Sequence, residues 1–179
     1  QSYLDAVLSG EPARELQLLE PFDALPLRLS RDVPVMLLAG FVRKWSGEAT
    51  AQGSPLQACY AAQTVFREAL TPLLAVEELV YERSALVWLI QPNPETDRLT
   101  KPDRTPDWQA TAAYLKGILE SVQNTCQDTL DVEVTFVLGR DGLEWDDVHR
   151  EFEAMRAWMK QRDRLTPNMT IVDMRAASD

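Results

Sequence analysis

The chain has 179 residues, of which 45% are hydrophobic and 26% charged, and its formal net charge is −10. This length fits one domain with its own hydrophobic core, and the composition is typical of a globular protein. The negative charge argues against nucleic acid as a partner of this segment, because binding to phosphates requires clustered Lys and Arg side chains.

No signal for membrane insertion or export is visible in the sequence. No apolar run reaches the roughly 18 residues that a membrane-spanning helix needs, and no basic stretch followed by an apolar one opens the chain. The two cysteines, Cys59 and Cys126, lie at apolar positions of predicted helices and are expected to be buried free thiols. Free thiols suit a reducing compartment, so we expect a cytoplasmic protein without a membrane partner. Because the chain opens on Gln1, we expect a piece of a longer protein or a processed end.

The first 30 residues are predicted to form a helical connector, and residues 31–179 the domain itself. Four apolar residues near the start repeat with the three-and-four spacing of one helix face: Tyr3, Leu4, Val7 and Leu8. Two interpretations of Ser2–Leu19 remain open. The segment either transmits movement from an upstream domain or packs back onto its own sheet.

The run "DVPVMLLAGFV", which ends at Val42, is apolar over the length of a strand. An uninterrupted apolar run predicts a central strand that is buried on both faces, with Pro34 at its first position. After a polar loop, Ser54 and Pro55 predict the start of a helix. Apolar residues then recur at helical spacing through "SPLQACYAAQTVFREALTPLL": Leu56, Cys59, Phe66, Leu70 and Leu73.

The segment "VEELVYERSALVWLIQP" predicts two strands joined by a polar step. Trp88, in the second strand, is expected to lie in the core. The polar step is Glu82, Arg83 and Ser84, and a hairpin turn beginning at Tyr81 would expose its charged side chains to water. The next stretch, "NPETDRLTKPDRTPD", has no apolar pattern and is predicted to be a long, mobile loop.

Two helices and two strands are predicted in the remainder. A helix runs from Trp108 to about Asp128, the alternating "DVEVTFVLG" forms a strand, and "PNMTIVDM" forms a short edge strand. Between these strands, a helix that begins near Trp145 carries an apolar stripe: Val148, Phe152, Met155 and Met159. The element order, α-β-α-β-β-α-β-α-β, mixes a hairpin with crossovers. It predicts an α/β (α+β) fold with a single mixed or antiparallel sheet and helices packed on its faces.

Few residues are candidates for catalysis or metal binding. His149 is the only histidine and lies among charges, which favours a solvated surface position. Asp146 and Asp147 fit the first turn of a helix, where acids complement the helix dipole, and Glu77 and Glu78 are placed just before a strand. Sites with two histidines and sites built on CxxC pairs are excluded. No Gly-rich turn follows the first strand, so no nucleotide-binding fingerprint is present.

Several segments resemble the degenerate GGDEF-like central domain of AraC-type (YesN-type) two-component response regulators. They are "DVPVMLLAGFVRKW", "ERSALVWLIQP" and, most specifically, "YLKGILESVQNTCQDTLDVEVTFVLG" followed by "WDDVHREFEAMRAWMKQRDRL". The likeness runs from about Tyr3 to Asp173. Such regulators carry a receiver domain, this middle region and a C-terminal pair of DNA-binding helix-turn-helix motifs. The resemblance implies a GGDEF-like, nucleotide-cyclase-like sheet.

The resemblance also places Glu82, Arg83 and Ser84 where diguanylate cyclases of this fold carry a Gly-Gly-acidic catalytic hairpin. Those enzymes hold two metal ions with the hairpin acids and with an Asp at the end of the first strand. Here one hairpin acid remains, both glycines are replaced, and no acid occurs from Val33 to Lys44. Two-metal chemistry needs several carboxylates and a close approach of the backbone. The resemblance therefore implies a vestigial site, with no catalytic residue, cofactor or metal.

The function implied by the resemblance is non-catalytic signal transmission in a transcription regulator. The chain would link a receiver to a DNA-binding module of the same protein, with a homodimer as one arrangement. The alternative is a sensor that binds a small molecule, a sugar or a nucleotide, without turnover, and a third is an active enzyme. A deep apolar pocket with convergent polar groups would favour the sensor, and a filled groove the linker.

Overall fold

The computed structural model describes residues 29–30, 32–45, 55–70, 72–81, 85–162 and 171–174. The described elements, in chain order, are strand β1 (Met36–Trp45), helix α1 (Pro55–Ala69), strands β2 (Leu74–Tyr81) and β3 (Ala85–Pro92), helix α2 (Trp108–Thr125), a π-helical turn (Cys126–Leu130), strand β4 (Val132–Leu138), a 3-10 turn (Trp145–Asp147), helix α3 (Val148–Arg162) and strand β5 (Ile171–Asp173). Apart from Leu29 and Ser30, which are not helical, the predicted N-terminal connector lies outside the described residues, as does the predicted helix cap Ser54.

The five strands form one sheet in the order β2-β3-β1-β4-β5. β1 is antiparallel to both β3 and β4, β2 is antiparallel to β3, and β5 is parallel to β4. The chain therefore forms two β-α-β units whose paired strands are not adjacent. In β1-α1-β2 the strand β3 lies between the two, and in β3-α2-β4 the strand β1 does, as in ferredoxin-like sheets. The predicted mixed sheet with helices on its faces is confirmed.

β1 is the central strand, as its apolar run predicts. Leu37, Leu38 and Ala39 have no exposed surface, because helices cover both faces of the sheet. The strand extends to Trp45, beyond the predicted end, and a bulge between Val42 and Lys44 shifts its pairing with β4. The polar residues after Val42 had marked a loop in the sequence, but the pairing with β4 keeps them extended.

Two helices cover the first face of the sheet and one helix covers the second. The first core, under α1, α2 and the π-helical turn, is built around three aromatic residues: Phe66, Trp88 and Phe136. The second core, under α3, contains the residues of the predicted stripe: Val148, Phe152, Met155 and Met159. β3 contributes to both cores, and all eight of its residues are buried. The predicted stripe of α3 and the buried position of Trp88 are thus confirmed.

Gly40 of β1 makes room for the large rings of the first core. A Cβ atom at Gly40 would lie 3.1 Å from Cζ3 of Trp88 and 3.2 Å from Cε1 of Phe136. The ring centroids of Trp88 and Phe136 are 5.9 Å apart, and those of Phe66 and Trp88 are 4.5 Å apart. A side chain at Gly40 would therefore require these rings to move by a few tenths of an ångström.

The structure corrects two predictions on the flanks of the hairpin. α1 ends at Ala69, although the apolar stripe continued to Leu73, because Pro72 lacks an N–H and disfavours helical backbone before it. The polar loop from Asn93 contains an apolar anchor that the sequence pattern did not reveal. Leu99 is only 5% exposed and packs in the first core, and the backbone N–H of Asp107 donates to its carbonyl at 2.9 Å.

None of the helices in the described part of the chain has both the length and the apolar composition that crossing a membrane requires. α2, which has 18 residues, covers the sheet with one side and exposes others, such as Ala113 and Glu120. Its buried residues recur on the face toward the first core: Thr111, Ala112, Leu115, Leu119, Val122 and Gln123. This one-sided burial is typical of a helix that packs on a sheet.

Replacing Trp88 by Ala is predicted to lower the free energy of unfolding by about 3–5 kcal/mol, because the large buried ring would leave a cavity beneath Gly40. Unfolding in urea, followed by circular dichroism, measures this loss. Tyr60→Ala is the control, since Tyr60 is 53% exposed and its loss should change stability by no more than about 0.5 kcal/mol. Equal stability of Trp88→Ala and the original chain would show that β3 is not a core strand.

Candidate functional site

The predicted hairpin is present between β2 and β3. The two strands pair as far as Tyr81 opposite Ala85, so residues 82–84 connect them. Glu82, Arg83 and Ser84 themselves lie outside the described residues. The pairing confirms the hairpin. The vestigial role of Glu82, Arg83 and Ser84 remains a prediction.

The hairpin lies beside the C-terminal half of β1. Ala85 pairs with Phe41 of β1, and Phe41 pairs on its other side with Thr135 of β4. Tyr81, Phe41 and Thr135 lie on the sheet face that α3 covers, as the alternation of residues along each strand requires. We call this region, formed by Phe41, Tyr81, Ala85, Glu133 and Thr135, the hairpin end of the sheet.

Side chains of α3 pack over the hairpin end. The ring of Phe152 meets that of Tyr81 edge to face, with 4.8 Å between centroids. The guanidinium carbon of Arg156 lies 5.3 Å from the centroid of Tyr81 and 5.7 Å from that of Phe152, and Nη1 of Arg156 is 3.0 Å from Oε1 of Glu153. These are favourable edge-to-face and cation–π arrangements. We call Tyr81, Phe152 and Arg156 the ring cluster.

Acidic side chains are sparse at the hairpin end. β1 and β3 carry none. β4 contributes Glu133, whose backbone lies opposite that of Lys44 in the β1–β4 ladder. Two buried oxygens here have no hydrogen-bond partner among the described residues, Oε2 of Glu133 and Oγ1 of Thr135. Among the residues that the structure describes, no group of three or more His, Cys, Asp or Glu side chains could hold a metal ion.

Glu78 has a structural role that the sequence did not predict. It lies within β2, directly opposite Trp88, so the placement of Glu77 and Glu78 before the strand is wrong. Oε2 of Glu78 accepts a hydrogen bond from Nε1 of Trp88 at 3.0 Å, and Oε1 accepts from Nε of Arg67 at 3.0 Å and also contacts Nη2 of Arg67. The carboxylate thus satisfies a buried indole and ties α1 to the sheet.

Glu151 is a second acid with a structural role. It is only 6% exposed on α3, and its Oε2 accepts a hydrogen bond from the backbone N–H of Arg140 at 2.5 Å. The neighbouring Gly139 has no room for a side chain, since a Cβ atom there would lie 2.9 Å from the carbonyl oxygen of Leu37. The buried carboxylate of Glu151 therefore fixes the loop after β4.

The remaining polar candidates lie around the start of α3. Asp146 and Asp147 occupy the 3-10 turn that leads into α3, which matches the prediction of acids at a helix start. Trp145 opens the same turn, and Nε1 of Trp145 donates a hydrogen bond to the carbonyl of Val33 at 3.1 Å. His149 follows on α3 and is partly exposed. In the described part of the chain, these residues are not gathered with other candidate metal ligands.

Both cysteines are buried free thiols, as predicted. Cys59 lies on α1 and Cys126 begins the π-helical turn. Burial raises the pKa of each thiol to about 11 from the ordinary value of 9.0. Since the thiolate is the nucleophile, neither side chain is suited to nucleophilic catalysis near neutral pH.

Comparison with known proteins assigns no activity to the hairpin end. No model of a known protein family and no curated protein matches the chain with significance. In the described part of this region, aromatic packing and a surface ion pair lie over Tyr81 of β2, and a single strand carboxylate, Glu133, lies on β4. The ring cluster is thus a contact between α3 and the hairpin.

The buried thiols are predicted to resist a disulfide reagent in the folded chain. At about pH 8, a rise of two pKa units lowers the thiolate fraction about 100-fold, and burial also blocks access. Absorbance of the released thiolate should show almost no reaction without denaturant and two reacting thiols per chain with it. From about pH 9 to about pH 11 the unfolded thiols ionise first, so stability should fall over that range. Equal labelling rates with and without denaturant would contradict the burial.

Proposed function

We propose that the chain is a non-catalytic signal-transmission domain of a cytoplasmic, AraC-type two-component transcription regulator. In that protein it would link a phosphorylatable receiver to a DNA-binding helix-turn-helix module. The observation that carries the proposal is the packing of the ring cluster over the hairpin end. In the GGDEF-like family that the sequence resembles, this is the place of the catalytic hairpin.

The topology supports the resemblance. The β2–β3 hairpin lies beside the C-terminal half of the central strand β1, as the GGDEF-like interpretation requires. A fold alone does not define a function, because one scaffold serves many. The proposal therefore depends on the residues that the scaffold presents at this place.

Those residues are better suited to mechanical coupling than to chemistry. Phe152 is fully buried and Tyr81 partly buried, so α3 and the hairpin share an apolar contact. The guanidinium of Arg156 lies over the same two rings and forms an ion pair with Glu153. A change in the position of the hairpin would therefore displace α3. In the intact regulator, this contact would help to pass a rearrangement of the receivers to the DNA-binding arms.

The second candidate is a sensor that binds a sugar or nucleotide without turnover. Two observations favour it: Oε2 of Glu133 and Oγ1 of Thr135 are buried, and no residue in the described part of the chain forms a hydrogen bond with either atom. Buried polar atoms are nearly always satisfied, and the hydroxyl groups of a ligand would satisfy these two. We rank this candidate second, because a ligand site needs a pocket with several convergent polar groups, and these two atoms alone do not make one.

Incubation with GTP and Mg²⁺ or Mn²⁺ is predicted to give no product, because the strands at the hairpin end supply one carboxylate where two metal ions need several. Chromatography of the nucleotides should match a boiled control. Thermal unfolding in the presence of GTP, cyclic dinucleotide or a panel of sugars should leave Tm unchanged, since only a ligand that binds the folded state raises it.

The three interpretations separate in the same experiment. Turnover above the boiled control would establish an enzyme. A rise in Tm without turnover, abolished by Thr135→Val, would establish the sensor. The matched control for that variant is Thr64→Val, since the hydroxyl of Thr64 donates to the carbonyl of Tyr60 on the exposed side of α1, which covers the other face of the sheet. If neither turnover nor a shift in Tm is observed, the enzyme and the sensor are both contradicted, and the signal-transmission proposal is retained.

A further inference from the structure

The chain that enters β1 is held by a buried amide of β3. We call residues 29–30 and 32–35 the entry segment. Gln91 is only 4% exposed, and its Nε2 donates hydrogen bonds to the carbonyls of Ser30 at 2.7 Å and Val33 at 2.9 Å. Its Oε1 accepts from the backbone N–H of Ser30 at 2.9 Å. Three hydrogen bonds from one side chain therefore fix the entry segment to the sheet.

The same segment is also bonded to the residues that lead into α3. Nε1 of Trp145 donates to the carbonyl of Val33 at 3.1 Å, the same oxygen that accepts from Gln91. Val35 and Leu143 exchange two backbone hydrogen bonds, each 2.8 Å long. Leu29, which is 5% exposed, packs in the second core with the residues of α3. Val33 is thus the point where β3, the entry segment and the start of α3 meet.

We propose that Gln91 and Trp145 form a joint that couples the position of the entry segment to the start of α3. A displacement of the Val33 carbonyl would remove an acceptor from both donors at once. Gln91 is buried, so water cannot readily replace the lost partners, and partial opening is disfavoured relative to a concerted shift. Its use as a route for signals rests on the function proposed above, in which movement arrives through the chain before β1.

The joint also connects to the hairpin end through α3. The helix begins at Val148, directly after the turn that Trp145 opens, and Phe152 and Arg156 of the ring cluster follow within its first three turns. Val148 and Phe152 are fully buried in the second core. A short, packed helix moves largely as one body, so a change at its start reaches the ring cluster.

Hydrogen exchange of the 179-residue chain, followed by mass spectrometry, tests this coupling. Gln91→Met keeps the bulk of the side chain and removes its three hydrogen bonds. Trp145→Phe keeps an aromatic ring and removes the indole donor. The control is Asn93→Ala, which breaks the hydrogen bond from Nδ2 of Asn93 to the carbonyl of Pro72, 2.8 Å long, near the same end of β3.

Both joint variants are expected to speed exchange about tenfold in two places, the entry segment and residues 143–152, while α2 keeps its exchange rates. The reciprocal effect is the signature of coupling: each substitution should speed exchange on the other side of the Val33 carbonyl as well as on its own side. Asn93→Ala should leave both places unchanged.

Two results would overturn the joint. One is faster exchange confined to the element that carries the substitution, which would make Gln91 and Trp145 independent anchors. The other is an equal acceleration in every element including α2, which would indicate loss of global stability alone. Trp145→Phe decides the question by itself if Gln91→Met does not fold. Since no receiver is needed, failure of the joint and failure of the proposed function are distinguishable.

Discussion

The whole structure depends on β1 being hydrogen-bonded along both edges and covered on both faces. β3 and β4 supply the edges, and the two helical layers supply the faces. This constraint makes the middle of β1 apolar and leaves little room for a side chain at Gly40, under the rings of Trp88 and Phe136. It also forces the buried indole of Trp88 to find its acceptor on the neighbouring strand, where Glu78 provides it.

The two ends are occupied differently, and α3 relates them. At the hairpin end, Phe152 and Arg156 of α3 pack on Tyr81. At the opposite end, the carbonyl of Val33 accepts hydrogen bonds from Gln91 and from Trp145, just before α3 begins. One helix of 15 residues therefore contacts both the chain entering the domain and the hairpin that the family resemblance singles out. This arrangement gives the proposed transmission a physical route through the second core.

Sequence patterns predicted those features that depend on nearby residues. The apolar run of β1 and the stripe of α3 follow from local periodicity, and the structure confirms both. Gln91 could not be predicted, because its partner Ser30 lies 61 residues away and nothing in the local pattern marks a buried amide. Glu78 was equally hidden, since its role depends on the strand register that places it opposite Trp88. Leu99 was missed because a single apolar residue in a polar loop has no period.

The most direct test of signal transmission uses the intact regulator in which this chain would link receiver and DNA-binding module. Leu4 and Val7 are both replaced by Ser, and transcription from the target promoter is measured with and without phosphorylation of the receiver. Our account predicts that the phosphorylation response is lost while the isolated 179-residue chain keeps its unfolding midpoint. A normal response would contradict transmission through the N-terminal segment. Unfolding of the isolated chain by the same substitutions would contradict it too, because the segment would then belong to the core.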